Sequence, residues 1–502
     1  MKYKTLSKEQ LFKIDTLSLL KSSSYQPKNI KDELRDNLIS KLKNGEQVFE
    51  GIWGYEDTVI PDVERAILSK HNINFLGLRG QAKTRMARQM VELLDEYIPV
   101  VKDAPLNDDP LQPISRFALD EIAQHGDNTA ITWMHRSERY TEKLATPDVS
   151  IADLIGDVDP IKAASLKLPY SDERVIHYGL IPRAHRGLFV INELPDLQAR
   201  IQVALFNILQ EGDIQIRGFK LRLPLDIQFV FTANPEDYTN RGSIVTPLKD
   251  RIDSQIITHY PTDIELSKKI THQEAKLDEV QVSIVNQFEL AKNLIEQIAF
   301  EARASEYVDA KSGVSARLTI SAYENLMSAA ERRSLINKES KVNLRISDFS
   351  GMIPAITGKI ELVYEGEQEG AGIVAQNLIG KAIRTQFLNY FPDPDQMRKQ
   401  KNNPYQQITD WFGKGNMVDL LHDHSEKEYI KTLGNIPGLK DLIKKYQSNP
   451  DSAEQNFMME FALYALVEYS LLSKHPLEKG MQFKDLLSSM FSMPEDDFSE
   501  EL

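Results

Sequence analysis

Cysteine is absent from all 502 residues. That excludes disulfides, Cys-based zinc sites and thiol catalysis, and it predicts a cytoplasmic setting. Long hydrophobic runs are missing too: no stretch reaches the length of about 18 apolar residues that a spanning helix needs. Positive charge is in short supply, since 60 Lys and Arg against 74 Asp and Glu leave a net charge of −14. A generally basic surface is thereby excluded, which argues against broad nucleic-acid binding. The opening residues Met1-Lys2-Tyr3-Lys4-Thr5 carry lysines with no apolar core behind them, so no secretory signal is expected. No internal repeat is found. What remains is globular in character, 41% apolar and 27% charged, with length enough for about three domains.

The segment 1–47 is polar and reads as an N-terminal extension with a helix over Asp32–Lys43. From about residue 48 the pattern changes. Asn72-Ile-Asn-Phe-Leu-Gly77 reads as a short buried strand after a helix closed by Ile67 and Leu68. Gly77–Thr84 reads as a turn, and Arg85–Tyr97 as a helix with Met86, Met90, Val91 and Leu94 on one side. Further strand-like runs are Ala130–Met134, Leu188–Ile191 and Ile227–Thr232, with a helix over Leu197–Gln210. Strands alternating with helices predict an α/β domain over 48–263 built on a parallel sheet. Beyond residue 264 the spacing turns helical, most clearly at Val282–Ala302 and Thr319–Arg333, which predicts a helical lid domain over 264–390. Pro, Asn and charge concentrate from Phe391 to Pro404. That stretch reads as a linker opening the last region, 391–502, which is helical over Gln407–Phe491 and ends in the acidic tail Pro494–Leu502.

Gly77-Leu78-Arg79-Gly80-Gln81-Ala82-Lys83-Thr84 follows the spacing G-x-x-x-x-G-K-[ST], except that Ala82 stands where the last Gly belongs. In such a loop the backbone N–H groups of Gly77, Gly80, Gln81 and Ala82 face phosphate, Lys83 reaches the β- and γ-phosphates, and the Thr84 hydroxyl meets Mg²⁺. A left-handed conformation at Ala82 would cost on the order of 1 kcal/mol. Downstream, Leu188-Phe-Val-Ile191 runs into Asn192-Glu193. A carboxylate pair is the usual terminus for this purpose, one acid for the Mg²⁺ shell and one to polarise water. Here Asn192 replaces the first, so the cation should be held more weakly, and Glu193 is the candidate base. Capping of the next helix is the competing use of this pair, and the phosphate loop upstream favours the catalytic one. The buried run ending at Asn234-Pro235 can aim an amide at the γ-phosphate. Arg251, seventeen residues beyond Asn234, can reach the nucleotide of a neighbouring subunit, and Arg317 can reach the γ-phosphate from the helical domain.

As an ordered set these residues resemble AAA+ ATPases, in the branch of the magnesium chelatase I subunit and the MoxR-type ATPases. Asp153–Pro160 and Gly179–Gly187 are similar to the segments entering and leaving that family's helix-2 insertion, and Glu211–Lys220 to its hairpin. The resemblance covers about residues 48–335. It implies ATP and Mg²⁺ as ligands, Lys83 and Thr84 on phosphate and metal, and Glu193 as catalytic carboxylate. It also implies Asn234 as first sensor, Arg251 as a finger acting in trans and Arg317 as second sensor. A hexameric ring working with a von Willebrand factor A (VWA)-domain partner is implied as well, driving metal insertion or remodelling a protein. Ala82 and Asn192 depart from the pattern and put the hydrolysis rate in question more than nucleotide binding. A nucleotide-regulated scaffold with weak hydrolysis and a nucleic-acid motor are the alternatives; the Gly-Ala-Phe-Thr-Gly-Ala loop of enhancer-binding activators is not found. His422-Asp423-His424 reads as a solvated loop rather than a metal clip, and Arg183, His185 and Arg186 read as exposed insertion residues.

Overall fold

The computed structural model describes residues 6–216, 222–235, 243–448 and 450–486. The chain forms two compact units, the first ending at His259 and the second beginning at Tyr260. The expected boundary lay at 263/264.

In the first unit, helix α1 (Ile30–Asn44) starts where the Asn29 side chain accepts from the Asp32 N–H at 2.8 Å and stops at Gly45, φ +69°. Ile30, Leu34 and Leu38 recur at four-residue spacing and are buried. Helix α2 (Val59–Leu68) buries Val59, Val63, Ala66 and Ile67 in the same manner. Strand β1 (Ile73–Leu76) leads through the Gly77–Ala82 loop into α3 (Lys83–Gln89). The helix expected over 85–97 is therefore shorter. It tightens to a 3₁₀ turn at Met90–Leu93, because Tyr97-Ile-Pro-Val-Val forms β2 (Tyr97–Val101) and Pro99 cannot continue a helix.

The run expected at Ala130–Met134 is strand β3 (Ile131–His135). It pairs antiparallel with β2 in a separate ribbon rather than joining the main sheet. The main sheet instead gains β4 (Tyr140–Leu144), followed by the insertion ribbon β5 (Gly156–Val158) and β6 (Ile176–Tyr178). Strand β7 (Gly187–Asn192) precedes α4 (Ala199–Glu211). A hairpin of β8 (Asp213–Gln215) and β9 (Arg222–Pro224) then leads to β10 (Ile227–Ala233) and β11 (Ser254–Ile257). The tip of the expected hairpin, 217–221, lies outside the described residues, as does the acidic tail.

The five-stranded sheet runs β11-β1-β10-β7-β4 with every neighbouring pair parallel. Alternation sends Phe75, Leu188, Val190 and Val230 into one core with α1, α2 and α3, and Phe189, Ile191, Phe229 and Phe231 into the other with α4 and the insertion. Strands β7 and β10 are buried along their whole lengths, which is why they are mostly apolar, with Gln228 and Thr232 inside β10 and Asn192 ending β7.

The second unit is mainly helical: α5 (Ile264–Glu274), α6 (Glu289–Ala304), α7 (Arg317–Asn337), α8 (Ala371–Phe387) and α9 (Ser452–Glu468) are its longest helices. A single apolar core extends from Val285 to Phe483, and Phe391 and Tyr405, which bracket the Pro- and Asn-rich stretch, are buried in it. The C-terminal region adds an antiparallel sheet of β12 (Val418–Leu421), β13 (Leu472–Leu477) and β14 (Gly480–Asp485), with β14 central. Among the described residues no helix is long and apolar enough to cross a membrane.

Candidate functional site

Parallel strands deliver their C-terminal ends to one edge of a sheet, where loops carry function. Gly77, at the end of β1, donates its N–H to Ala233 O at 3.1 Å. A Cβ on Gly77 would sit 2.0 Å from Thr258 Oγ1, so only glycine fits beside the Thr258–Gln81 hydrogen bond of 2.6 Å. Gly80 has φ +73° and Ala82 has φ +56°. The position that departs from the phosphate-loop pattern is therefore left-handed, and Ala82 carries the strain that glycine would escape. Gln81 is buried, and its carbonyl lies 3.0 Å from the Tyr55 hydroxyl.

Lys83 opens α3 and is buried. Its Nζ donates to Gly77 O, to Leu78 O at 3.0 Å and to Asn234 Oδ1 at 2.5 Å. Asn234, just past β10, in turn donates from Nδ2 to Glu193 Oε2 at 2.7 Å. Glu193 itself sits at φ +55° directly after β7, its N–H donating to Thr232 Oγ1 at 3.2 Å. A non-glycine residue in that conformation stores on the order of 1 kcal/mol and is a feature of functional positions. Lysine, amide and carboxylate thus form one contiguous series across three strand ends.

Beside it, Thr84 Oγ1 donates to Asn192 Oδ1 at 3.2 Å, and Thr232 Oγ1 donates to the same oxygen at 3.1 Å. Asn192 Nδ2 donates to Glu142 Oε1 at 2.5 Å. Glu142 Oε2 accepts from Arg88 at 3.0 and 2.8 Å and from the Tyr140 hydroxyl at 2.9 Å. Burial, followed by that bond to Glu142, pushes the Tyr140 phenol up from its ordinary value. The grouping of Thr84 hydroxyl, Asn192 carbonyl and Glu142 carboxylate offers oxygen donors alone, which fits a hard divalent cation. Glu142, Thr232, Thr258 and Tyr55 have no place in the sequence reading. For Glu142 the available signal was the aromatic, β-branched start of Tyr140-Thr-Glu-Lys-Leu, which is strand chemistry with a carboxylate set inside it.

Gly77, Gly80, Gln81, Ala82, Lys83, Thr84, Asn192, Glu193 and Asn234 thus lie on the connected ends of β1, β7 and β10. Arg251 is in the same unit but bonds elsewhere, to Gln210 Oε1 at 3.1 and 2.8 Å and to Pro247 O at 2.7 Å, with Phe206 beneath it at 5.0 Å. Arg317 begins α7 of the second unit.

Two insertion residues expected to be exposed are buried. Arg186 donates to Pro99 O at 2.8 Å and to the Tyr25 hydroxyl at 2.8 Å, and pairs with Asp109 at 3.1 Å. His185 Nδ1 accepts from the Asp226 N–H at 3.1 Å. Both are committed to packing the segment before β7; Arg183 is exposed, as expected. The His422–His424 loop is half-buried, with His424 O accepting from Arg345 at 2.8 Å. Among the described residues no cluster of three or more His, Cys, Asp or Glu is placed to hold a metal.

Residues 169–257, from the insertion to β11, match the family model of the sigma-54 interaction domain. The magnesium-chelatase 38 kDa subunit of Cereibacter sphaeroides is 26% identical over 192 residues, 38% of this chain and 51% of that protein. That of Rhodobacter capsulatus is 24% identical over 205 residues, 40% of this chain and 53% of that protein. The chain spans about half the length of these curated relatives. A solved complex between subunits BchI and BchD of magnesium chelatase contains a chain that is 18% identical, with a TM-score of 0.33, covering 64% of this chain and 98% of that one. The family-model match spans β7, Asn234 and Arg251, and the chain is thus similar to the sigma-54 interaction domain over that stretch and to magnesium-chelatase 38 kDa subunits over 38–40% of its length.

Proposed function

We propose that this chain is an ATP-dependent motor that hydrolyses ATP in an oligomeric, hexameric ring and so remodels or activates a partner protein. The observation that carries the reading is the contact series Lys83–Asn234–Glu193 beside the Gly77–Thr84 loop.

The loop's N–H groups would take the phosphates, and Lys83 would exchange Gly77 O and Leu78 O for the β- and γ-oxygens. Thr84 and Asn192 would hold Mg²⁺, which when bound neutralises charge on the phosphates. Asn234 touches both Lys83 and Glu193. Movement of Lys83 onto phosphate therefore loosens the amide that ties up Glu193, and the carboxylate becomes available to take a proton from the attacking water. Arg251 of a neighbouring subunit would complete the charge stabilisation, and Arg317 would sense the γ-phosphate from the helical unit. The resemblance to chelatase I subunits supports a VWA-domain protein as the partner, with metal insertion as one outcome of its activation. Since Ala82 is strained and Asn192 is uncharged, a nucleotide-binding scaffold with slow hydrolysis is the second reading.

Glu193→Gln is expected to keep ATP affinity, because Lys83 and the loop are untouched, and to lower turnover about 10²–10⁴-fold. Equilibrium binding and single-turnover hydrolysis on the same preparation check it. Retained turnover would mean that another group is the base.

A further inference from the structure

Asn192 occupies the strand end where a carboxylate is expected, and it is bonded to one. A neutral amide can present either end to its neighbours, but a carboxylate only accepts. With Nδ2 given to Glu142 at 2.5 Å, Asn192 must turn Oδ1 toward the Thr84 and Thr232 hydroxyls. Strand register explains the meeting. Leu144 is the parallel partner of Asn192, and Glu142 lies two residues earlier on β4, so Glu142 and Asn192 share one face of the sheet. The ion pair with Arg88 does not account for the inward carboxylate. Arg88 is 63% exposed against 22% for Glu142, and pairs with so exposed a cation contribute little.

We propose that Glu142 supplies, from the neighbouring strand, the negative charge that Asn192 lacks, and acts on Mg²⁺–ATP as a positioning residue through the Asn192 amide. The carboxylate is displaced by one side chain rather than lost from the site. This inference rests on the reading of the loop as an ATP site.

The test is the affinity of the full chain for a fluorescent ATP analogue, measured in Mg²⁺ and again in EDTA, with melting temperature in EDTA as a check on folding. Glu142→Gln keeps the shape and removes the charge. It is expected to cut the Mg²⁺ advantage roughly 10-fold or more, as loss of a partner behind a metal ligand does, and to leave affinity in EDTA unchanged. Asn192→Asp in the Glu142→Gln background returns a charge and an amide to the pair with their positions exchanged, and is expected to restore the advantage. Arg88→Ala is expected to leave it intact. An equal loss of affinity in Mg²⁺ and EDTA for Glu142→Gln would make Glu142 a structural residue of the sheet edge and overturn the proposal. A double variant as weak as Glu142→Gln at unchanged melting temperature would overturn it too. A wild-type chain that binds the analogue in neither buffer would overturn the ATP reading itself, and this assignment with it.

Discussion

Ala82 adopts φ +56°, and Glu193 adopts φ +55°. The left-handed region costs a residue with a Cβ about 1–2 kcal/mol. Glycine at the same place would recover that cost but lose about 0.4–1 kcal/mol through the freer unfolded chain. The first term is the larger, so Ala82→Gly is expected to stabilise the protein by up to about 1 kcal/mol. Urea unfolding measures this, and a destabilised variant would show that the Ala82 methyl makes packing contacts that outweigh the strain. At Glu193 the same trade would remove the carboxylate proposed as the base.

At the scale of elements, α1 is joined to the sheet by buried charge. Glu33 forms two hydrogen bonds with Arg139, at 2.6 and 2.7 Å, and the Ile30 N–H donates to Asp226 at 2.8 Å. Burial pushes the Asp226 carboxyl up to about 6, while burial and then the charge of Arg186 push His185 down to about 3. A depressed imidazole stabilises the fold in its neutral form. That stability is complete above the ordinary value near 6.5 and drains away as pH falls toward 3. Wild type should therefore lose ground to His185→Asn between pH 7.5 and 5.5, the gap in unfolding free energy narrowing by about 1 kcal/mol. A gap that does not change with pH would contradict the suppressed titration. The same elements show what the sequence could carry. Strands β1, β7 and β10 were legible because burial on both faces makes them mostly apolar, and the candidate residues of the Gly77–Thr84 loop, Glu193 and Asn234 stand out at their ends. Strands β4 (Tyr-Thr-Glu-Lys-Leu) and β11 (Ser-Gln-Ile-Ile) lie at the sheet's edges, where polar residues are tolerated, so their pattern resembles loop. Glu142 was hidden with β4. Helix α3 ends earlier than its apolar spacing implies, because Met90, Leu93 and Leu94 stay buried through the 3₁₀ turn and the extended chain after it. Arg186 and His185 read as surface because a buried charge is recognisable only with its partner, and Asp109 and Asp226 lie 77 and 41 positions away in the chain.

For the whole molecule, the decisive question is whether sites are shared between chains. Arg251 is held by Gln210 and Pro247 of its own chain. If it acts on a neighbour's nucleotide, Arg251→Ala should lower turnover by about 10³-fold or more with ATP affinity largely kept. Mixtures of Arg251→Ala with Glu193→Gln should then regain activity, since each variant supplies what the other lacks. Mixtures no faster than the separate variants would place the finger elsewhere. Steady-state ATP turnover per chain, followed against protein concentration at saturating Mg²⁺, decides whether this chain is an assembling ATPase. The rate is expected to climb as chains assemble and to be lost in Glu193→Gln. A rate that stays at background at the highest concentration would contradict it.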